Sequence, residues 1–351
     1  METMEDTEKI DIRALSRNEL RDFFVTQGQE AFRGNQVYEW LWQKSAHDFD
    51  AMTNISKETR SMLDAHFVIN HIEVDQMQRS VDGTIKNAVR LHDDLIVESV
   101  LIPTEKRTTA CVSSQVGCSL DCKFCATASL KRMRNLNPDE IYDQVVAIDR
   151  QSRFYYQRPL SNIVFMGMGE PLMNYKNVLK AIEKITSPEG LGMSARRITV
   201  STSGVPKMIR KLADEAVKFK LAVSLHSAIE NKRTQIMPFN ASFGLEALRA
   251  SLEYWYRQTG SRITYEYVVW QGINDTREDV EALVAFCRFA PSKVNLIEYN
   301  PIDGGEAFTQ ASAPAIAMYV EILEKNGITV TVRHSRGKDI DAACGQLANK
   351  A

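Results

Sequence analysis

Residues 108–125 read TTACVSSQVGCSLDCKFC, a strand-like pattern that leads directly into three closely spaced cysteines. These cysteines follow the spacing Cys118-x3-Cys122-x2-Cys125. Thiolates this close together converge on a metal ion or an iron–sulfur cluster. Three protein ligands leave one corner of a [4Fe–4S] cube unfilled, whereas cubes that only carry electrons usually have four. An open iron can bind a substrate or a cofactor directly, so the stretch predicts a reactive loop at the end of a strand.

A zinc site is the main alternative for these cysteines. Structural zinc usually takes four Cys or His ligands, commonly as two short pairs. The sequence contains no second CxxC, and no histidine pair lies near these cysteines along the chain. The spacing therefore favours the iron–sulfur cluster over zinc.

The sequence N-terminal to this stretch predicts two smaller units. Residues 1–70 have helical patterns, with a capping box at Ser16 and Glu19 and helical spacing of apolar residues over 32–44. Residues 71–105 have strand patterns, with Asp82-Gly83 as a hairpin turn. We expect a helical accessory domain followed by a β-strand extension or linker.

Residues 106–351 alternate strand and helix patterns, which predicts an α/β fold with a parallel sheet. The number of βα units fits a partial TIM-like (β/α)6 barrel that ends in a C-terminal tail. In barrels of this kind the chemistry lies where the strands end. The strand patterns lie at 108–114, 162–167, 197–202, 219–225, 262–270, 293–299 and 328–334.

Composition excludes several classes of protein. Six cysteines in 351 residues do not form a disulfide scaffold, and 44% hydrophobic residues allow a large core. The N-terminal residues lack the apolar segment of a secretory signal, and no run reaches the length of a membrane-spanning helix. We expect a soluble cytoplasmic protein. A net charge of −2 provides no global attraction for nucleic acid, so RNA binding would need local basic patches such as 131–134.

Candidate ligand-binding residues lie where the predicted strands end. The strand at 162–167 runs into Gly167-Met168-Gly169-Glu170-Pro171, where glycines allow close approach and a carboxylate could bind an ammonium group. Ser201, Ser224-Leu225-His226 and Asn300 end later strands. Each residue alone is more typical of an ordinary turn or cap than of a ligand contact.

Pattern alone favours structural or unreactive roles for the remaining cysteines and for one carboxylate. Cys287 lies on a helix with apolar neighbours and reads as a core residue. Cys111 precedes the cluster, and Cys344 lies near the chain end; either thiol needs a base or cation to react. Alternation places Glu98 on an apolar strand face, which predicts an exposed edge position rather than a buried acid or base.

The chain resembles a known family over most of its length. The cysteine spacing and the segment 167–171 resemble the radical S-adenosylmethionine (SAM) superfamily, in which SAM occupies the open iron. The whole chain resembles the ribosomal and transfer RNA adenine-C2 methyltransferases known as RlmN. The segments that carry the resemblance are FRGNQVYEWLWQK, DGTIKNAVRL, ESVLIP, CVSSQVGCSLDCKFCAT, MGMGEPLMNY, ITVSTSGV, LAVSLHSA, NLIEYNP and GKDIDAACGQL.

The resemblance implies a mechanism that uses two SAM molecules per turnover. Cys344 accepts a methyl group from the first, and the second yields a 5′-deoxyadenosyl radical at the cube. That radical removes hydrogen from the S-methyl group, and the methylene radical adds to adenine C2. Glu98 then removes the C2 proton, and Cys111 attacks Cys344 to form a disulfide and release RNA. The implied SAM contacts are Gly169, Glu170, Ser201, Ser224, Leu225, His226 and Asn300.

The resemblance also implies partners. The two RNA partners are 23S rRNA, modified at an adenine of the peptidyl-transferase region, and tRNA, modified at the adenine 3′ of the anticodon. The third partner is a one-electron donor such as flavodoxin. The protein is expected to be a monomer with no membrane partner, and residues 1–70 are expected to help hold RNA. The nearest enzymatic alternative is a Cfr-type methyltransferase acting at adenine C8. The alternative from another class is a non-catalytic zinc-bearing RNA-binding protein.

Overall fold

The computed structural model describes residues 9–349. The first eight and last two residues, which belong to the predicted accessory domain and tail, lie outside the described residues. The N-terminal elements within 9–70 are β1 (Ile10–Asp11), α1 (Arg17–Thr26), α2 (Phe32–Trp42), α3 (Lys57–His66) and β2 (Phe67–Val68). The predicted capping box is confirmed: the Ser16 hydroxyl accepts from the Glu19 backbone N–H, and the Glu19 carboxylate accepts from the Ser16 N–H.

A buried ion-pair cluster fastens these N-terminal elements to the sheet-covering helix α4 (Pro138–Tyr156). Arg13 has only 1% of its side chain exposed, and its guanidinium lies 2.8 Å from the Asp143 carboxylate and 3.3 Å from that of Asp139. The Trp42 and Tyr142 rings meet edge to face at 5.2 Å. Burial raises the pKa of Asp139 to about 7, although the charge of Arg13 opposes that rise.

The remaining elements build a sheet and the helices that cover it. The further strands are β3 (Glu73–Arg79), β4 (Ile85–Arg90), β5 (Ile96–Pro103), β6 (Thr108–Cys111), β7 (Gln115–Val116), β8 (Arg134–Asn135), β9 (Asn162–Phe165), β10 (Ile198–Thr202), β11 (Lys220–Ser224), β12 (Ile263–Val268), β13 (Ser292–Ile297) and β14 (Thr329–Arg333). The further helices are α5 (Tyr175–Thr186), α6 (Pro206–Asp214), α7 (Glu230–Ile236), α8 (Asn240–Thr259), α9 (Arg277–Cys287) and α10 (Ala313–Lys325).

Within residues 9–349, ten strands form one sheet in the order β14-β13-β12-β11-β10-β9-β6-β5-β4-β3. Seven neighbouring strands of this sheet, β6 and β9 to β14, pair parallel with one another. Each of them overlaps one of the strand patterns predicted for the barrel. The sheet keeps two edges, β14 and β3, so the barrel is partial, as predicted. Because the carboxyl ends of its parallel strands meet at one end, they bring distant parts of the sequence together there.

The predicted hairpin extension continues this sheet. The strands β3, β4 and β5 pair antiparallel with one another, and β5 pairs antiparallel with β6. The turn at Asp82-Gly83 joins β3 to β4, as predicted, with Gly83 at a φ of +87°. As a result, β5 has a neighbour on each side and is an interior strand of the sheet.

We expect Arg13→Leu to destabilise the protein by about 3–5 kcal/mol, because it leaves the Asp139 and Asp143 carboxylates buried without their cation. Urea unfolding followed by circular dichroism measures this. The control is Arg17→Leu, whose ion pair with Glu189 is 44% and 46% exposed and should contribute about 0–1 kcal/mol. Equal losses in the two variants would contradict the proposed attachment of the N-terminal elements.

Candidate active site

The cysteine loop leaves the end of the first barrel strand through a short two-stranded ladder. Strands β7 and β8 pair antiparallel, and Cys118 forms a further bridge with Lys131. Gly117, at a φ of +72°, allows this close approach, because a Cβ there would lie 2.4 Å from the Lys131 carbonyl oxygen. The loop is therefore held at its base by main-chain pairing.

The three predicted cluster ligands lie together in this loop. Cys122 is buried, and Cys118 and Cys125 are half-buried. Burial raises the pKa of Cys118 to about 11, and the nearby Cys125 and Glu170 add to the rise. Burial also raises the pKa of Cys122 well above its ordinary value. Ionising all three thiols therefore needs a compensating positive charge, which iron would supply on binding.

The loop packs into an apolar cluster separate from the main core. Its members include Leu120, Cys122, Trp270 and Tyr299, with Phe124 packed against them. An apolar shell of this kind limits access of water to a metal centre and tunes its redox potential. Among residues 9–349, no group of three or more His, Cys, Asp or Glu side chains has the arrangement that holds a single metal ion. In a cube each thiolate binds a different iron, so the three-thiol donor set fits that group.

The segment 167–171 packs directly against the start of the cysteine loop. The Glu170 N–H donates to the Gln115 side-chain oxygen at 2.9 Å. Gly169 has a φ of +91°, and a Cβ there would lie 2.5 Å from the Gln115 Cβ. The Glu170 carboxylate is buried and accepts the backbone N–H groups of Leu172 (3.0 Å) and Ser203 (2.7 Å). Burial raises its pKa, whereas these hydrogen bonds lower it.

Arg233 organises the ends of the next two strands. Its guanidinium is buried and donates to the carbonyl oxygens of Ser203 (2.6 Å), Leu225 (3.2 Å) and Ser224 (3.4 Å). Ser201 is buried near the carboxyl end of β10. Leu225 is fully buried and directly follows β11. These predicted ligand residues are therefore held at one end of the sheet by a residue that the sequence did not single out.

His226 is a neutral, hydrogen-bonded histidine in the same region. It is 2% exposed, and its Nδ1 accepts the Val268 N–H at 3.1 Å, which leaves the proton on Nε2. Burial, assisted by the charge of Arg233, lowers its pKa to about 3. The Phe124 ring meets it edge to face at 4.6 Å. His226 thus links the cysteine loop to the strand ends through packing.

The C-terminal segment lies across the ends of the strands and joins the cysteine loop. The Asn300 side-chain N–H donates to the Cys344 carbonyl oxygen at 3.1 Å. The Ala126 N–H donates to the Gly345 carbonyl at 2.7 Å, and the Thr127 hydroxyl donates to that of Leu347 at 2.7 Å. The other polar atom of the Asn300 side chain, Oδ1, is buried and has no hydrogen-bond partner among residues 9–349. It is an acceptor available to a ligand.

Glu98 is buried, so the expectation of an exposed edge position is wrong. Its side chain is 1% exposed because β5 is interior to the sheet and the C-terminal segment covers it. Glu98 Oε1 lies 3.2 Å from the Lys86 ammonium, and Oε2 accepts the N–H groups of Ala348 (2.8 Å) and Asn349 (3.2 Å).

Cys111 and Cys344 are brought to the same end of the sheet. Burial raises the pKa of Cys111 to about 12, and the charge of Cys344 adds to the rise. Burial also raises the pKa of Cys344 to about 11, with a contribution from Cys125. Cys344 is exposed at the end of the barrel, whereas Cys111 is buried.

The structure does not support a standing disulfide between Cys111 and Cys344, because all six cysteines, which lie within residues 9–349, are free thiols. Cys287 is buried on α9, as expected of a core residue.

Comparison with known proteins agrees with this arrangement. Residues 10–69 match the ribosomal RNA large subunit methyltransferase N-terminal domain, and residues 112–287 match the radical SAM superfamily. A probable dual-specificity RNA methyltransferase RlmN from Christiangramia forsetii is 75% identical over 98% of this chain and 97% of its own. One from Salinibacter ruber is 42% identical over 99% and 96%. A radical SAM methyltransferase crystal structure from Sphaerobacter thermophilus matches with a TM-score of 0.90 and 39% identity, over 96% and 99% of the two chains.

The chain belongs to the RlmN family. It is therefore an enzyme of the radical SAM class that methylates RNA. Membership implies a [4Fe–4S] cluster and SAM, and the three thiols, the buried Glu170 and the unpartnered Asn300 oxygen fit those groups. Within residues 9–349, no helix has both the length and the apolar character needed to span a membrane.

Several site residues of this RlmN family member were missed by the sequence reasoning. They are Lys86, Gln115, Phe124 and Arg233, which contact Glu98, Glu170, His226 and the strand ends respectively. Lys86 and Gln115 carry a recognisable signal, because each is a polar residue within a predicted strand or at its end. The partners of Arg233 come from the ends of two different strands, and a single sequence gives no indication of that.

We expect Gly169→Ala to lower stability more than Gly192→Ala does. Both glycines have a positive φ, so both variants carry backbone strain of about 1–2 kcal/mol. Only Gly169 has a neighbour that a Cβ would strike, since Gly192 has nothing within 4 Å. Thermal unfolding measures the difference, and SAM binding should weaken only in Gly169→Ala because Glu170 is displaced. Equal behaviour of the two variants would contradict this role of the close approach.

Proposed function

We propose that this enzyme methylates C2 of an adenine in the peptidyl-transferase region of 23S rRNA and of the adenine 3′ of the anticodon in tRNA. The observation that carries the proposal is the convergence of Cys344, Cys111 and the cysteine loop at one end of the barrel. Adenine C2 lies between two ring nitrogens and is electron-poor, so it cannot take a methyl cation directly. A methyl carrier beside a radical-generating centre meets that difficulty.

The cofactors have a consistent set of binding residues. Cys118, Cys122 and Cys125 would hold the cluster, and the thiols of these three residues already lie in apolar surroundings. When bound, the cluster and two SAM molecules per turnover supply the methyl group and the one-electron chemistry. The proposed SAM contacts are Gly169, Glu170, Ser201, Ser224, Leu225, His226 and Asn300. Of these, Glu170 offers a buried carboxylate for an ammonium group, and Asn300 offers an unpartnered oxygen.

Cys344 is proposed to carry the methyl group. Its raised pKa means that the free thiol is almost wholly protonated at neutral pH. A cationic methyl donor placed beside it would favour the thiolate and so promote transfer. The hydrogen bond from Asn300 holds the Cys344 backbone carbonyl and leaves the sulfur free to turn between donor and RNA.

Glu98 and Cys111 are proposed to complete the reaction. Glu98 is the base that removes the C2 proton of the adenine. The Cys111 thiolate then attacks the Cys344 sulfur and a disulfide forms; the carbon–sulfur bond to the RNA breaks with its electron pair on the carbon, which takes up a proton and becomes the methyl group. This disulfide belongs to turnover and would be reduced before the next cycle, which agrees with the free thiols of the resting structure.

The proposed partners extend beyond the barrel. The target base must leave its stack, at a cost of about a few kcal/mol, before it can reach the barrel end. Contacts from residues 1–70 would help hold the RNA, since those elements are fixed to α4 by Arg13. A one-electron donor such as flavodoxin would reduce the cluster, and we propose a cytoplasmic monomer.

The alternatives predict different products. A Cfr-type enzyme would yield 8-methyladenosine, and mass spectrometry of nucleosides from treated RNA separates this from 2-methyladenosine. The close family match favours C2. A zinc-bearing RNA-binding protein would contain zinc and no sulfide, whereas anaerobic purification of the proposed enzyme should yield about four iron and four sulfide per chain.

Cysteine variants test the proposed roles with purified, cluster-loaded enzyme. Cys344→Ala should bind the cluster normally but form no methylated RNA, because the methyl carrier is absent. Cys111→Ala should accumulate a covalent protein–RNA adduct, because nothing attacks the Cys344 sulfur. Gel shift under denaturing conditions and nucleoside mass spectrometry measure these outcomes.

The control for both variants is Cys287→Ala, which removes a buried thiol on α9 and should retain methyl transfer. Full turnover by Cys344→Ala or Cys111→Ala would overturn the assigned roles.

A further inference from the structure

A pair of opposite charges is buried between two neighbouring strands of the sheet. Lys86 on β4 and Glu98 on β5 are 5% and 1% exposed, with Nζ and Oε1 3.2 Å apart. Burying two charges removes them from water at a cost that cancels most of their attraction. An apolar pair of similar volume would often stabilise a protein equally well or better. Folding stability therefore gives no sufficient reason for this pair.

Different parts of the molecule hold the two oxygens of Glu98. Oε1 is bound by Lys86, which lies on a strand with neighbours on both sides. Oε2 is bound by the N–H groups of Ala348 and Asn349, at 2.8 and 3.2 Å. Those two residues belong to the same C-terminal segment as Cys344. The two oxygens of Glu98 are therefore held by parts of the chain that are far apart in sequence.

The backbone of Glu98 is also fixed by neutral groups. Its N–H donates to the Met168 sulfur at 3.2 Å, and its carbonyl accepts the Ser113 hydroxyl at 2.6 Å. Met168 lies in the segment 167–171, and Ser113 lies between Cys111 and the cysteine loop. These two bonds connect the Glu98 backbone to the segment 167–171 and to the chain between Cys111 and the cysteine loop.

We propose that Lys86 is a positioning residue that holds Glu98 through Oε1 and aims its carboxylate at the substrate carbon, and that Oε2, released from the amides of residues 348 and 349 when RNA binds, receives the proton. The inference rests on the proposed function of Glu98 as the base. In this step the C2–H bond breaks, its electron pair stays in the adenine ring, and the proton passes to Oε2. The cluster, held by the three cysteines of the loop, would be the one-electron acceptor for the unpaired electron left by radical addition.

The requirement for a cation follows from the burial of the carboxylate. A buried charge is stable only when an opposite charge or hydrogen bonds compensate for its lost contact with water. Lys86 supplies the opposite charge together with N–H donors that orient Oε1. Arginine at this position would retain the charge, whereas glutamine would retain a hydrogen bond without it.

The test compares Lys86→Gln and Lys86→Arg as cluster-loaded enzymes, with RNA that carries protium or deuterium at the target C2. For Lys86→Gln we expect 5′-deoxyadenosine formation at the wild-type rate, because that step precedes the proton transfer. The covalent adduct should accumulate, and methylated RNA should form about tenfold or more slowly. Deuterium should slow product formation more in Lys86→Gln than in wild type. Lys86→Arg should restore product formation.

The control is Lys325→Gln, which removes an exposed lysine of α10 and should behave as wild type. Normal product formation by Lys86→Gln, or an equal fall in deoxyadenosine and product, would overturn the inference. If Lys86→Gln does not fold, Lys86→Arg alone decides the test. Accumulation of the adduct by Lys86→Arg would overturn the inference, and turnover at the wild-type rate would support it. Failure of the wild type to form adduct or 2-methyladenosine would instead refute the proposed function.

Discussion

The attachment of the C-terminal segment to the barrel end is the interaction on which the site depends. It relies on hydrogen bonds to the backbone around Cys344, from Asn300 and Ala126, and on the amides of residues 348–349 that bind Glu98. Each such bond contributes about 0.5–1.5 kcal/mol net, or more where one group is charged. These bonds together fix the segment that carries Cys344 at the end of the barrel.

The site also concentrates groups whose charged forms are unfavourable in the protein alone. The cysteine thiols have raised pKa values because of burial, and Glu170 is a buried carboxylate. Cationic ligands relieve these costs when they bind, because each one neutralises a nearby anion. The buried arginine at the strand ends lowers the pKa of Cys122 only against the larger opposing effect of burial, and the neutral His226 contributes packing rather than charge.

The sequence predicted the fold well because its signals were local. Every barrel strand showed a short apolar run, and the capping box at Ser16 marked a helix start that the structure confirms. Glu98 was misplaced because alternation describes one strand only, whereas its burial comes from the strands on either side and from a segment about 250 residues away. The partnership of Lys86 with Glu98 depends on the same register and was missed for the same reason.

Resemblance and residue chemistry contributed differently to the site. Spacing alone indicated the iron–sulfur loop, but pattern alone left Cys111 and Cys344 as ordinary thiols until the family resemblance joined them. The structure adds the contacts that hold both near the loop. The roles of the two thiols and of the proposed SAM contacts remain proposals that follow from this proximity.

The fate of the methyl hydrogens tests the central claim most directly. The enzyme is supplied with SAM whose transferred methyl group carries three deuterium atoms, and both products are weighed by mass spectrometry. A methyl group that first rests on Cys344 and then loses one hydrogen to the deoxyadenosyl radical must deliver two deuterium atoms to the adenine and one to 5′-deoxyadenosine. Delivery of all three deuterium atoms to the adenine would contradict the account.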